Sequence, residues 1–292
     1  MFDFYSAHSV FSDPGHYAVL FSDLPDDIKS LVVCVNQLLF HYADQSLYGY
    51  TIPAAQYREL DHRLIKNTLA AILNKSSASL SMPRAHSQKV LGICRDSALM
   101  TCSILRSRGI PARLRSGFNT YYLPNLFLDG FCLEYFDKEI KRWRLVDTRT
   151  TQDYIRHFHL SIDFDLTDLS ENQFISAALA WKLCRTGCAD PSRFGSRGYY
   201  GLHYIRNKVI QDFVLLNKQE LLIWDLWGDM LEEKKSNECH IDYLSDFLLE
   251  NAYHVDRITS CYDEHLFFNV PSTVLVANPF LIERWENLLC FH

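Results

Sequence analysis

Gly92-Ile93-Cys94-Arg95-Asp96-Ser97-Ala98-Leu99-Met100-Thr101-Cys102-Ser103-Ile104-Leu105-Arg106-Ser107-Arg108-Gly109-Ile110-Pro111-Ala112-Arg113 is the stretch on which the reading of this chain turns. It predicts a helix that opens at Cys94, carries Leu99, Cys102 and Leu105 inward, and stops at Gly109 before Ile110-Pro111. A thiol in the first turn of a helix sits at the positive end of the macrodipole, which favours thiolate over thiol. That is the setting of a cysteine nucleophile, and Cys94 is the first candidate for chemistry.

Outward from this helix, strand-like runs are expected at 112–122, 131–137 and 142–148. The last two are joined by a polar turn from Asp137 to Lys141, the pattern of an antiparallel hairpin. Upstream, Asp23 and Pro25 open a helix with Ile28, Leu31, Val32, Val35, Leu38 and Leu39 at helical spacing. A second helix is expected over 54–74, with Leu60, Leu64, Ile65, Leu69 and Ile72 on one face, before a loop at 75–84. Downstream, Ser170 and Gln173 form a capping-box pattern ahead of an apolar run ending near Arg185 and Gly187. Residues 205–223 read as another helix, with shorter ones to 290. Helices, a small antiparallel sheet, then helices again define an α+β class. The expected division is an N-terminal helical region (1–83), a core (84–160) and a C-terminal helical region (161–292), packed as one compact unit.

At 292 residues, 48% hydrophobic and 22% charged, the composition is that of a globular protein with a substantial core. A net charge of −6 with no basic-aromatic stripe argues against nucleic acid as partner. No apolar stretch is long enough to cross a bilayer, and Met1-Phe2-Asp3-Phe4-Tyr5-Ser6 lacks the basic and apolar parts of a signal peptide. A cytoplasmic location is expected, and a chain exported by a specialised secretion machine would look the same. The nine cysteines are odd in number and scattered, which points to reduced thiols. Cys184-x-x-x-Cys188, Cys239-His240 and His157-x-His159 lack the paired spacing of a zinc site. Gly195, Gly198 and Gly201 lack the order of a phosphate-binding loop, so neither metal nor cofactor is expected.

A cysteine nucleophile needs a base, usually His, and a third group to orient it. Trp143-Arg144-Leu145-Val146-Asp147 puts Asp147 where a strand enters a loop, a natural place for an orienting carboxylate. The pattern G-x-C-R-D, helix, G-I-P-A-R, then E-Y-x-x-x-x-x-x-R-W-x-L-V-D across residues 92–147 resembles the transglutaminase-like superfamily. A weaker similarity to bacterial transglutaminase-like proteins extends through Ser12-Asp13-Pro14-Gly15, Ala177–Trp181, Gly201–Arg206 and Trp224–Gly228. The resemblance implies a papain-like core, with a nucleophile helix packed on a small antiparallel sheet, and no cofactor. It also implies acyl transfer at an amide through a thioester, with peptidase, deamidase or transglutaminase outcome and a peptide or protein as substrate. On this resemblance Cys94 is the nucleophile and Asp147 the orienter.

The base does not carry over. The family's histidine lies four residues before the Glu-Tyr pair, and that position here is Gly130, within Asp129-Gly130-Phe131. Three explanations remain open: a pseudoenzyme that keeps the fold for binding, a histidine supplied from elsewhere, or an inactivating change. His86, His157, His159 and His203 are the candidates for a replacement base. Loss of the imidazole is also expected to open space in the cleft, which favours the alternative of a non-catalytic peptide- or protein-binding module. Enzyme and pseudoenzyme both stay open.

Structural roles compete at each position. Asp147 can cap its strand or pair with Arg144 or Arg149, Asp96 can complement the helix dipole, and Cys102 and Cys132 read as packing residues. Gln88, six residues before Cys94, has the spacing of an oxyanion glutamine in papain-like proteases. Tyr199-Tyr200, Trp224 and Trp227 read as packing.

Overall fold

The computed structural model describes residues 2–231, 238–265 and 267–291. In chain order the helices are α1 (Phe2–Ser6), α2 (Ile28–Leu38), α3 (Gln45–Tyr48), α4 (Ile65–Lys75), α5 (Cys94–Ser107), α6 (Gln152–His157), α7 (Ala177–Arg185), α8 (Leu202–Leu216), α9 (Glu238–Asn251) and α10 (Val255–Glu264). The strands are β1 (Leu39–His41), β2 (Val90–Gly92), β3 (Ala112–Leu123), β4 (Leu126–Asp137), β5 (Arg142–Val146), β6 (Phe174–Ser176), β7 (Gly195–Ser196), β8 (Tyr199–Tyr200), β9 (Asp225–Leu226), β10 (Thr273–Val276) and β11 (Arg284–Asn287). The chain is a mixture of helix and sheet, as its α+β patterning predicts.

Two units divide these elements, and neither is a continuous segment. One, here the α5 unit, comprises Phe2–Ala112 and Cys132–Asp168; the other, the α8 unit, comprises Arg113–Phe131 and Leu169–His292.

In the α5 unit, α5 is the central element. Every residue from Arg95 to Arg106 is buried, polar and apolar alike, so the helix is enclosed rather than amphipathic. Two of its polar side chains reach a distant serine: Ser103 Oγ donates to Ser12 O (2.7 Å) and Arg106 Nη1 to Ser12 Oγ (2.8 Å). The helix ends as expected, with Gly109 at φ 67°. α2 is capped by Asp27, which accepts from Ser30 N–H, and buries Leu31, Val32, Val35 and Leu38. Leu39, expected on that helix, instead begins β1, which pairs in parallel with β2 (Leu39 with Val90, His41 with Gly92).

The helix expected over 54–74 is broken into a 3₁₀ segment (Ala54–Asp61) and α4. The cause lies in Arg95: its guanidinium takes the carbonyls of His62 (3.1 Å) and Arg63 (2.6 Å), which a continuous helix would spend on its own backbone. The second half of β4 pairs with β5, Leu133 opposite Val146 and Asp137 opposite Arg142. Their turn is closed by Asp137 Oδ1 on Glu139 N–H, with Lys141 at φ 54°.

In the α8 unit, the first half of β4, then β3, then β6 lie side by side, with Phe118 opposite Ile175 in the β3–β6 pair. β4 begins five residues before its expected start, and Asn125 supplies the positive φ (62°) of the turn from β3. The Ser170–Gln173 bonds form, but they close a turn. Helix α7 starts later, capped by Ser176 on Leu179 N–H (3.3 Å), because residues 174–176 are drawn into β6. Helix α8 begins at Leu202 and is buried from Val209 to Leu216. The C-terminal region, expected to be helical, also contains a two-stranded ribbon of β7 and β8 and a sheet in the order β11-β10-β9. Trp224 and Trp227 are buried, whereas Tyr199 is exposed. Among the described residues no helix is long and apolar enough to cross a membrane.

Candidate active site

Cys94 is the first residue of α5. Ile93 (φ −124°, ψ 179°) is still extended, so the chain turns into the helix at the cysteine. Asp96, in the first turn, reaches back to accept the N–H of Ile93 (2.9 Å) and is held by Arg95 Nη1 (2.9 Å). Burial pushes the Asp96 carboxyl above the usual carboxylate range, with Arg95 opposing. Gly92 leaves room for this reach, since a Cβ there would stand 3.2 Å from the Asp96 carboxylate and make it give by a few tenths of an ångström. Cys94 itself is half-buried, and it is the only residue from 94 to 106 that is not fully enclosed. It stands in the first turn of a fourteen-residue helix, while the Arg95 guanidinium is turned to the His62 and Arg63 carbonyls and to Asp96.

A small cleft lies against this end of α5. Gly92, Ile93, Ser97, Lys89, His41, Asp44, Tyr48 and Thr151 line it. Its free volume of about 20 Å³ is room for a water or two. Lys89 is only 7% exposed and donates to Asn36 O (3.0 Å). Burial pulls its ammonium below the usual lysine value, against the pull of Asp153 and Asp44. Asp44 is pushed up by burial and steadied by Arg149 Nη2 at 2.8 Å. Burial also raises the Tyr48 phenol. His86 lies against Tyr48 (ring centroids 4.5 Å) and Phe40 (5.4 Å), and its buried Nδ1 has no hydrogen-bond partner. Burial and Lys89 lower its pKa, which keeps the imidazole neutral.

Asp147 follows β5 directly and is buried. Its carboxylate accepts the N–H groups of Arg149 (2.7 Å) and Thr150 (3.1 Å) and the Thr150 hydroxyl, while its own N–H donates to Leu166 O (2.8 Å). The strand-capping role is thus present. Of the two arginines considered as partners, Arg149 pairs with Asp44, and Arg144 with Asp137 (3.2 Å). The loop Asp147 shapes is tied to the cleft: Thr148 O accepts from Asn36 Nδ2 (2.9 Å), and Thr151 is a cleft wall. Asn36 therefore joins the Lys89 ammonium to the Asp147 loop.

No family model, curated protein or solved structure matches the chain. The site is accordingly read from its own residues.

Gly130 belongs to the α8 unit and is buried. The space beside it is not open, contrary to the expectation from a lost imidazole. A Cβ at this position would stand 2.6 Å from Asn119 Nδ2, and Asn119 Oδ1 accepts from the Tyr121 hydroxyl (3.1 Å). The preceding Asp129 is bound to Lys208 Nζ at 2.9 Å, with both side chains buried. Burial raises the Asp129 carboxyl, but Lys208 with the hydroxyls of Ser196 and Tyr204 more than compensates and holds it below the usual range.

The remaining candidates lie elsewhere. Gln88 is exposed in a short 3₁₀ turn, its Oε1 accepting from Ala85 N–H (3.4 Å). His157, His159 and His203 are exposed, on α6, just after it, and on the first turn of α8. Of the four candidate histidines, none lines the cleft, and His86 packs against Tyr48 and Phe40, which do. His41, Tyr48 and Lys89 were not singled out by sequence, because β1 meets β2 across some fifty residues and no local pattern reports that pairing. The eight described cysteines are thiols, and Cys290 lies outside the residues whose side chains are described. Among the described residues no group of three or more His, Cys, Asp or Glu is arranged to hold a metal.

Proposed function

We propose that this chain is a transglutaminase-like cysteine protein with a papain-like core, whose chemistry is acyl transfer at an amide of a peptide or protein through Cys94. The observation that carries the reading is the partly buried Cys94 at the opening of a helix that is enclosed from Arg95 to Arg106. The Cys94 thiolate would attack the amide carbonyl, the Cys94 N–H would contribute to stabilising the oxyanion, and the tetrahedral adduct would collapse to a thioester with loss of the amine. Water or a second amine then takes the acyl group. The leaving amine must gain a proton, which the family draws from its histidine. With glycine at 130 that help is absent, and turnover is expected to fall by about 10²–10⁴-fold. Asp147, already committed to shaping its loop, has the rigidity asked of an orienting carboxylate.

A second reading is favoured by one observation. Asn119 fills the space beside Gly130 and is itself bonded to Tyr121, so the position is finished as packing. On that reading the protein binds a peptide or protein without turning it over.

Site-resolved alkylation separates the two, because Cys188 and Cys239 are exposed and serve as internal references. An activated Cys94 should react with iodoacetamide about tenfold or more faster than either reference near pH 7, despite being less exposed. A rate equal to or below theirs removes the nucleophile reading and leaves the binding one.

A further inference from the structure

We propose that two copies of this chain join edge to edge through β11, antiparallel and in one register, with Trp285 opposite its own counterpart. The sheet order β11-β10-β9 leaves β11 with a strand neighbour on one side among the described residues. The orientation of its backbone follows from the ladder. Leu288 N–H donates to Ser272 O (2.7 Å), and bonded and non-bonded pairs alternate along antiparallel strands. Val274 with Glu286 and Val276 with Arg284 are then the bonded pairs, and Leu275 with Trp285 is a non-bonded one. Trp285 therefore turns its N–H and C=O away from β10, off the open edge. Such an edge is a template for another strand.

Charge and register select a second copy as the occupant. A two-fold axis at Trp285 matches outward-pointing residues with outward-pointing ones, so the two Trp285 residues exchange a pair of backbone hydrogen bonds. Arg284 then faces the partner's Glu286, and Glu286 faces the partner's Arg284. Those are non-hydrogen-bonded positions, where side chains approach most closely. Centring the axis on Arg284 or on Glu286 would instead oppose two arginines or two glutamates. Within one copy Arg284 and Glu286 bond at 2.8 Å, and the join would set two such pairs side by side with unlike charges opposed. Charged residues usually blunt a strand edge, but this pair is self-complementary under a two-fold. On the opposite face Leu226, Leu275 and Trp285 form a cross-strand row, and Trp285 is 61% exposed in a single copy. The join would continue that row into the partner's sheet and cover both indoles.

Sedimentation equilibrium of the full chain tests this. The wild type should show a dimer mass that dissociates on dilution. Arg284→Glu and Glu286→Arg, which set like charges opposite each other twice, should each weaken the dimer by about tenfold or more. An equimolar mixture of the two variants should recover it, because every opposed pair is again of unlike sign, and circular dichroism verifies that each variant is folded. A wild type that is monomeric at every concentration overturns the proposal without reference to any variant. So do single variants that dimerise like the wild type, or a mixture of folded variants that stays monomeric.

Discussion

Replacing Gly130 by alanine tests whether Asn119 occupies the room beside it. The new Cβ would stand 2.6 Å from Asn119 Nδ2, whereas ordinary contact begins near 3.4 Å, so the amide must retreat by about 0.8 Å. Asn119 is only 5% exposed and its Oδ1 accepts from the Tyr121 hydroxyl at 3.1 Å, so retreat either strains the packing or breaks that bond. Overpacking costs about 1–3 kcal/mol, or loss of the bond about 0.5–1.5 kcal/mol. Exchanging glycine for alanine within a strand returns about 0.5–1 kcal/mol of backbone entropy. Gly130→Ala should therefore fall between neutral and a loss of about 2 kcal/mol. In an Asn119→Ala background the obstacle is gone, and the same substitution should be neutral or slightly stabilising, a coupling of about 1 kcal/mol or more. Urea unfolding of the four proteins measures it, through midpoints compared at constant slope. Additive effects of the two substitutions would refute the packing argument. A histidine at 130 would meet the same amide, so it should be tolerated better when Asn119 is shortened as well.

The Asp129–Lys208 pair makes stability depend on pH in a defined direction. The Asp129 carboxyl is held below its unfolded value of about 3.9, so its contribution is complete above that pH and lost as pH falls through the lower folded value. Lys208→Met leaves the carboxylate buried without its cation and should cost about 3–5 kcal/mol near pH 7. Because protonation of Asp129 relieves that penalty, the deficit against wild type should shrink on acidification toward pH ~4, and a deficit independent of pH rules the pairing argument out. Asp212 accepts from Arg115 Nε (3.0 Å) and Nη2 (2.8 Å) and from Ser116 N–H (2.8 Å) with its side chain fully buried. Asp212→Ala should cost about 3–5 kcal/mol in thermal or urea unfolding, and Arg115→Met in the same chain should recover part of it; strict additivity would count against a direct pair.

Much of the α5 region was legible in sequence because the determinants are local. Cys94 opens the helix, Asp96 braces its first turn, and Gly109 leaves it in the left-handed conformation, all within a few residues of one another. The same holds for the hairpin turn closed by Asp137. Where the reading departed from the structure, a distant group had intervened. The helix expected over 54–74 breaks because Arg95 takes the carbonyls of His62 and Arg63, and α7 starts late because β3 recruits residues 174–176. The β10–β11 hairpin was missed because its strands are four residues each and only one face of the sheet is enclosed, too short and too mixed for periodicity to register.

The candidate site divides along the same line. Sequence alone determined the thiol, its helix and the glycine at 130, since these are matters of residue identity and local backbone preference. Tertiary structure alone decided that α5 is enclosed from Arg95 to Arg106 and opens at Cys94, that Lys89, Asp44 and Tyr48 gather at its first turn, and that Asn119 takes the space an imidazole would need. The reason is physical: hydrogen-bond capping and backbone conformation act over one turn of chain, whereas burial and close packing depend on which side chains from remote segments arrive in the same volume.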